Sequence, residues 1–122
     1  MYRIIIVSLY LFSTVALASN ITELENRNIS DIAKQNGKEF EKSVVQDFWG
    51  NPQFMMQCAP PGSPIHKAFT IYIEILETGE IGQLAFTLNT DTTKCIESFV
   101  RQKQFKKPNV PFVAAIKLSF TK

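Results

Sequence analysis

Apolar residues recur at every second position in three stretches of this chain and at every fourth in another, and these two periods outline most of a fold. Phe69, Ile71, Ile73 and Ile75 alternate with Thr70, Tyr72 and Glu74, as in a strand that buries one face. Leu84, Phe86 and Leu88 alternate with Gln83, Ala85 and Thr87 across residues 81–89. Between them lies Glu77-Thr78-Gly79-Glu80, a turn whose glycine suits a positive φ, so the two stretches predict a β-hairpin. Phe112, Ala114, Ile116, Leu118 and Phe120 alternate with Val113, Ala115, Lys117, Ser119 and Thr121, predicting a third strand over 112–121.

Helical spacing appears in Phe40, Val44 and Phe48, one stripe of a helix over 38–49 that Gly50-Asn51-Pro52 terminates. A second helix is expected over 92–104. Thr90-Asp91-Thr92-Thr93 offers oxygen acceptors for its free amides, Cys95, Ile96, Phe99 and Val100 form its inner face, and Lys107-Pro108 ends it. The order helix-β-β-α-β predicts an α+β fold in which a three-stranded antiparallel sheet packs against helices on one face. Residues 38–122 form this single domain. Residues 19–37 are polar, with Ile21, Leu24, Ile29 and Ile32 as their sizeable apolar groups, and predict a loosely ordered leader. Residues 59–64, with three prolines and a glycine, predict an irregular loop.

The N-terminus changes where the domain is expected to work. Arg3, an apolar run over residues 4–11 and Ala16-Leu17-Ala18 compose a secretory signal, removed before Ser19. A retained anchor fits less well, because a spanning helix needs about 20 apolar residues and Ser8 and Ser13 interrupt this run. Export places Cys58 and Cys95 where thiols oxidise, and each has one available partner. Closing that loop stabilises a fold by roughly 4 kcal/mol in the chain-entropy model. A metal or redox site lacks a C-x-x-C and has only His66 to complete it; buried free thiols remain the plain alternative. Asn20-Ile21-Thr22 and Asn28-Ile29-Ser30 match the glycan acceptor pattern, which carries meaning only in a eukaryotic secretory route.

The net charge is +2, but acids dominate residues 19–80 while bases dominate 81–122. The run Arg101, Lys103, Lys106 and Lys107 either complements a helix C-terminus or offers a basic surface to a charged protein partner; nucleic acid is not expected outside the cell. No catalytic constellation stands out. A Cys-His pair fails once both cysteines are bonded, no serine sits in a Gly-x-Ser-x-Gly turn, and Glu74, Glu77 and Glu80 read as a solvated hairpin end. The expectation is a protein without enzymatic activity or cofactor. The outward positions of the last strand, Val113, Ala115, Lys117 and Ser119, are small, β-branched or polar. Since a three-stranded sheet has two edges, this strand is expected to accept a partner's strand.

Residues 40–122 resemble the C-terminal periplasmic domains of TolA and TonB. The resemblance rests on Phe48-Trp49-Gly50-Asn51-Pro52, a cysteine shortly after it, the strand and turn over 70–80, Cys95 on a helix, Phe105-Lys106-Lys107-Pro108 at its exit and the closing Leu118-Ser119-Phe120. The placement of Cys58 and Cys95 is similar to the disulfide of the TolA type. The resemblance implies a binding module with no catalytic residues or cofactors, one that contacts envelope proteins, bacteriocins or phage coat proteins, often at a sheet edge. In place of that family's membrane anchor and long spacer the sequence reads as a cleaved signal and a domain. It therefore implies an exported periplasmic accessory binder of an envelope protein, with no stable membrane insertion after cleavage. A periplasmic immunity or inhibitor protein that neutralises a delivered toxin is the alternative.

Overall fold

A computed structural model describes residues 20–59 and 67–119. The signal segment, most of the proline-rich loop, His66 and the end of the last predicted strand lie outside the described residues. The chain runs α1 (Asn20–Ile32), α2 (Gly37–Trp49), α3 (Gln53–Cys58), β1 (Phe69–Ile75), β2 (Ile81–Phe86), α4 (Asp91–Val100) and β3 (Phe112–Leu118). β1 lies in the middle of an antiparallel sheet of order β2-β1-β3. Its alternation explains this position, because Phe69, Ile71, Ile73 and Ile75 are all buried while the residues between them are half-buried.

The α+β class and the three strands agree with the sequence pattern, and α2 starts one residue earlier than its periodicity suggests. Gly79 takes a positive φ of 86° in the hairpin turn. Thr90 caps α4 reciprocally with Thr93: the Thr93 N–H donates to Thr90 Oγ1 at 3.2 Å and the Thr90 N–H to Thr93 Oγ1 at 2.8 Å, a capping box built from two threonines. α4 is shorter than expected and stops at Val100. After one further turn at Arg101 and Gln102, residues 103–108 instead form an irregular strap across the hairpin turn, held where the Phe105 N–H donates to Gly79 O at 3.0 Å and Gln104 Nε2 to Thr78 O at 2.8 Å. Burial of the Phe105 ring fixes this path.

One face of the sheet carries the main core. Phe48, Phe54, Ile71, Ile73, Ile75, Ile96, Val100, Ala114 and Ile116 are buried there with the other inward side chains of α2, α3, α4 and the strands. Cys58 and Cys95 are disulfide-bonded with their Cα atoms 5.5 Å apart, tying the end of α3 to α4.

The opposite face overturns the expectation of helices on one side and of a loose leader. Residues 20–32 form α1, and Leu24 packs with Val113, Ala85 and Tyr72 in a second, smaller core. The apolar pattern understates this helix because, apart from Ile32, which packs half-buried against the main core, its remaining inward groups are polar. Asn28 and Asp31 are buried, and Arg27 Nη1 reaches Glu74 Oε2 at 2.7 Å, while Ile21 and Ile29 face water. The turn into α2 is tight: Asn36 is left-handed at φ 62°, and a Cβ on Gly37 would collide with the Asp31 carbonyl oxygen.

Tyr72 lies under α1, and burial, reinforced by the Glu25 carboxylate, raises its hydroxyl above its ordinary pKa of 10.0. The neutral phenol is therefore favoured by folding, and its contribution is present below the unfolded value and lost as pH rises past it. Stability should fall above about pH 10, and Tyr72→Phe should flatten that part of the profile; urea midpoints for both proteins between neutral and alkaline pH would show whether the slopes differ.

Candidate protein-docking edges

Backbone hydrogen-bonding groups on an edge strand alternate between the neighbouring strand and the outside. In β3 the outward set belongs to Val113, Ala115 and Lys117, and side chains from two helices meet the first part of it. The Val113 N–H donates to Asp31 Oδ2 at 2.8 Å, Asn28 Nδ2 donates to Val113 O at 2.9 Å, and the Ala115 N–H donates to Glu41 Oε2 at 3.0 Å. Asn28 Nδ2 also donates to Glu41 Oε2 at 2.7 Å, and Lys34 Nζ lies 2.9 Å from Asp31 Oδ1. α1 and α2 thus supply the Val113 N–H and C=O and the Ala115 N–H with the partners that an added strand would supply.

This clasp corrects the picture of β3 as an open edge. Val113 is fully buried and Ala115 half-buried, with their outward amides occupied. Lys117 and Ser119 are exposed, Ser119 just beyond the strand, and the clasp does not reach them. Only this short end of the predicted docking strand keeps an accessible edge.

The register then identifies the other edge. Val113 and Ala115 stand opposite Glu74 and Tyr72, so with Val113 and Ala115 bonded outward, Tyr72 and Glu74 turn toward β2. Ala85, paired with Tyr72, bonds inward, and the Thr87 N–H donation to Thr70 O at 3.0 Å continues this phase. Leu84 and Phe86 consequently direct their N–H and C=O groups away from the sheet, and these groups have no partner among the described residues. At the start of β2, a register irregularity lets Glu74 Oε1 accept from the Gln83 N–H at 3.0 Å. The open stretch therefore centres on residues 84–86, flanked by half-buried Ile81, Leu84 and Leu88. The sequence held a signal for it in the interrupted β2 pattern at Gly82, but deciding which edge is covered required knowing where Asn28, Asp31 and Glu41 point.

The basic residues divide among different roles. Arg101 Nε donates to Glu97 Oε2 at 3.0 Å, Lys103 Nζ lies 4.9 Å from the centroid of the Phe54 ring, and the Lys106 N–H donates to Asp47 Oδ2 at 3.1 Å. Lys107 is exposed. Arg101 and Lys103 adjoin the end of α4, the Lys103 N–H donating to Val100 O at 3.0 Å, but no base lies within its last turn, so the run is chiefly a strap and not dipole-complementing charge inside the helix. Glu74 is engaged by Arg27 and Gln83, whereas Glu77 and Glu80 are exposed in the hairpin. No group of three or more histidine, cysteine, aspartate or glutamate side chains is arranged to hold a metal among the described residues.

Replacing Asp31 by Ala should leave the buried Val113 N–H without an acceptor and lower stability by about 1–3 kcal/mol, with faster amide exchange at Val113. An unchanged urea midpoint together with unchanged exchange would show that Asp31 does not hold this edge.

No family model matches this chain, and no curated protein or solved structure is similar enough to count as a match.

Proposed function

We propose that this protein is an exported protein-binding domain of the bacterial cell envelope, resembling a detached TolA or TonB C-terminal domain, and that it takes up an extended segment of a partner along β2. The observation that carries this reading is the asymmetry of the sheet: side chains of α1 and α2 occupy both outward groups of Val113 and the outward N–H of Ala115, while the outward groups of Leu84 and Phe86 have no partner among the described residues. Native proteins cover or blunt sheet edges that would otherwise recruit chains. An edge left open beside one that is clasped suits strand addition, in which main-chain hydrogen bonds give affinity and flanking pockets select side chains. Ile81, Leu84 and Leu88 are the half-buried apolar groups beside it.

An oxidising location agrees with the Cys58–Cys95 bond, and among the described residues no helix is long and apolar enough to cross a membrane. Export itself is tested by mass. A secreted chain should begin at Ser19 and gain two hydrogens on reduction; an unprocessed N-terminus would remove the periplasmic assignment.

Binding is tested at Leu84. Leu84→Pro removes the outward N–H and the side chain, whereas Leu84→Ala removes only the side chain, so comparable losses of stability from the two leave the amide as the difference. With envelope subunits that co-purify with the wild type, Leu84→Pro should lower retention at least about tenfold, and Leu84→Ala should bind nearly as well as wild type. Lys117→Pro, at the uncovered end of β3, should change little. A loss confined to Lys117→Pro would move the docking edge to β3, and recovery of a secreted toxin in place of envelope subunits would favour an immunity role.

A further inference from the structure

The devices that keep a sheet edge from recruiting another chain are charged side chains, proline and irregular register, and the two edges of this sheet hold them unequally. β3 follows Pro111, carries Lys117 and has its first outward groups clasped by Asn28, Asp31 and Glu41. β2 and the residues after it, 81–90, contain neither a charge nor a proline. The register irregularity of β2 lies between Ile81 and Leu84. It leaves Leu84 and Phe86, whose outward groups have no partner among the described residues, on regular strand.

That stretch is complementary to itself. Leu84 and Phe86 flank Ala85, which is paired inward with Tyr72. When a second β2 lies antiparallel alongside, with a two-fold axis at Ala85, Leu84 of each copy faces Phe86 of the other. The two residues then exchange N–H and C=O bonds as a hydrogen-bonded antiparallel pair does, and every outward group of both is used. Ala85 meets its own copy at the axis as a non-hydrogen-bonded pair, where Cα atoms approach to about 4.5 Å and a small side chain fits. The side chains match in kind: half-buried Leu84 stands opposite Phe86, and exposed Gln83 opposite exposed Thr87, the cross-strand matching that stabilises sheets. No like charges stand opposite each other on the paired strands, since the nearest charges along the chain, Glu80 and Asp91, lie outside β2.

From this arrangement we infer that the protein pairs with a second copy of itself along β2, in a two-fold dimer that joins the two sheets into one. The inference rests on the open β2 edge of the proposed function and adds its regulation, because self-pairing and a partner's segment compete for the same groups. A strongly charged segment finds no counter-charge on residues 81–90, whereas the chain's own strand is an uncharged segment of matching pattern. Two-fold dimers are the commonest closed assemblies of identical chains. The clasp on β3 keeps the joined sheet from growing further, since the first part of that edge offers no free amides at Val113 and Ala115. A contact built on so short a stretch is weak beside lasting interfaces of about 1,000 Å² or more. The dimer therefore forms and dissolves with concentration and yields the edge to a tighter partner.

Sedimentation and amide exchange of the purified chain, its disulfide intact, test this together. Over about a hundredfold range of protein concentration the sedimenting mass should pass from monomer toward dimer. Exchange at an open edge follows the monomer fraction, so the Leu84 and Phe86 amides should slow by roughly tenfold over that range, while the Val113 amide, clasped in either state, stays unchanged. The dimer should persist as salt is raised toward about 0.5 M, because no charge pair holds it. Leu84→Pro should weaken association far more than Leu84→Ala, with the fold of both checked by circular dichroism; the wild-type measurements need no variant to fold. A monomer at every concentration, with Leu84 and Phe86 exchanging fast, would overturn the dimer and leave the open docking edge standing. Slow exchange of both amides in a monomer would mean that the edge is covered within one chain, and the docking strand would fall with the dimer. A dimer in which the two amides stay fast, that salt dissolves, or that Leu84→Pro leaves intact is held by some other surface, and the inference fails.

Discussion

The arrangement depends on three side chains standing in for a strand. Asn28, Asp31 and Glu41 bond the outward N–H groups of Val113 and Ala115 and the Val113 carbonyl at 2.8–3.0 Å. Hydrogen bonds to charged groups contribute about 1.5–3 kcal/mol each, and a buried amide left without a partner carries a comparable penalty. These contacts also join elements far apart in sequence, since Asp31 and Val113 are separated by 82 residues. They set α1 across the second face, where one fully buried leucine would be a weak anchor, and they bring α2 alongside β3. The close approach at Gly37, where a side chain would strike the backbone of α1, follows from holding both helices against the same strand.

The main core and the disulfide do a different job. Phe48 and Phe54 stack edge-to-face, and Phe54 reaches Phe99 on α4 at 5.9 Å between centroids. Aromatic pairs of this kind contribute about 0.5–1.5 kcal/mol beyond the area they bury. The Cys58–Cys95 bond lies between the same two elements and closes a 37-residue separation. A helix of six residues such as α3 has little stability of its own. Ring stacking and the covalent tie together keep it in place.

The strands and α2 were legible because each buries one continuous apolar face, and period two or period four survives in the residue order. Phe69, Ile71, Ile73 and Ile75 are all buried as their alternation requires, and the cysteine pair followed from having two thiols and an N-terminus that reads as a secretory signal. α1 was not legible, because hydropathy scores Asn28 and Asp31 as solvent-facing although they are only 7% and 5% exposed. The same blind spot hid the state of β3. Small and β-branched outward residues mark a possible edge, but whether the amides between them are free depends on side chains contributed from elsewhere. α4 was overextended through residue 104 because Arg101, Lys103 and Lys106 suit a helix end, while the actual path is fixed by burial of Phe105 and its bond to Gly79.

The strap ties the hairpin turn to the end of α2. Through Phe105 and Gln104 it holds the turn at Thr78 and Gly79, from which β2 sets out, and through Lys106 it holds Asp47 at the end of α2, next to Trp49. Its backbone is anchored at both ends, so the hairpin keeps a fixed relation to α2. A strap bonded to both the hairpin and α2 fixes where β2 sets out, and with it the strand whose outward groups at Leu84 and Phe86 have no partner among the described residues.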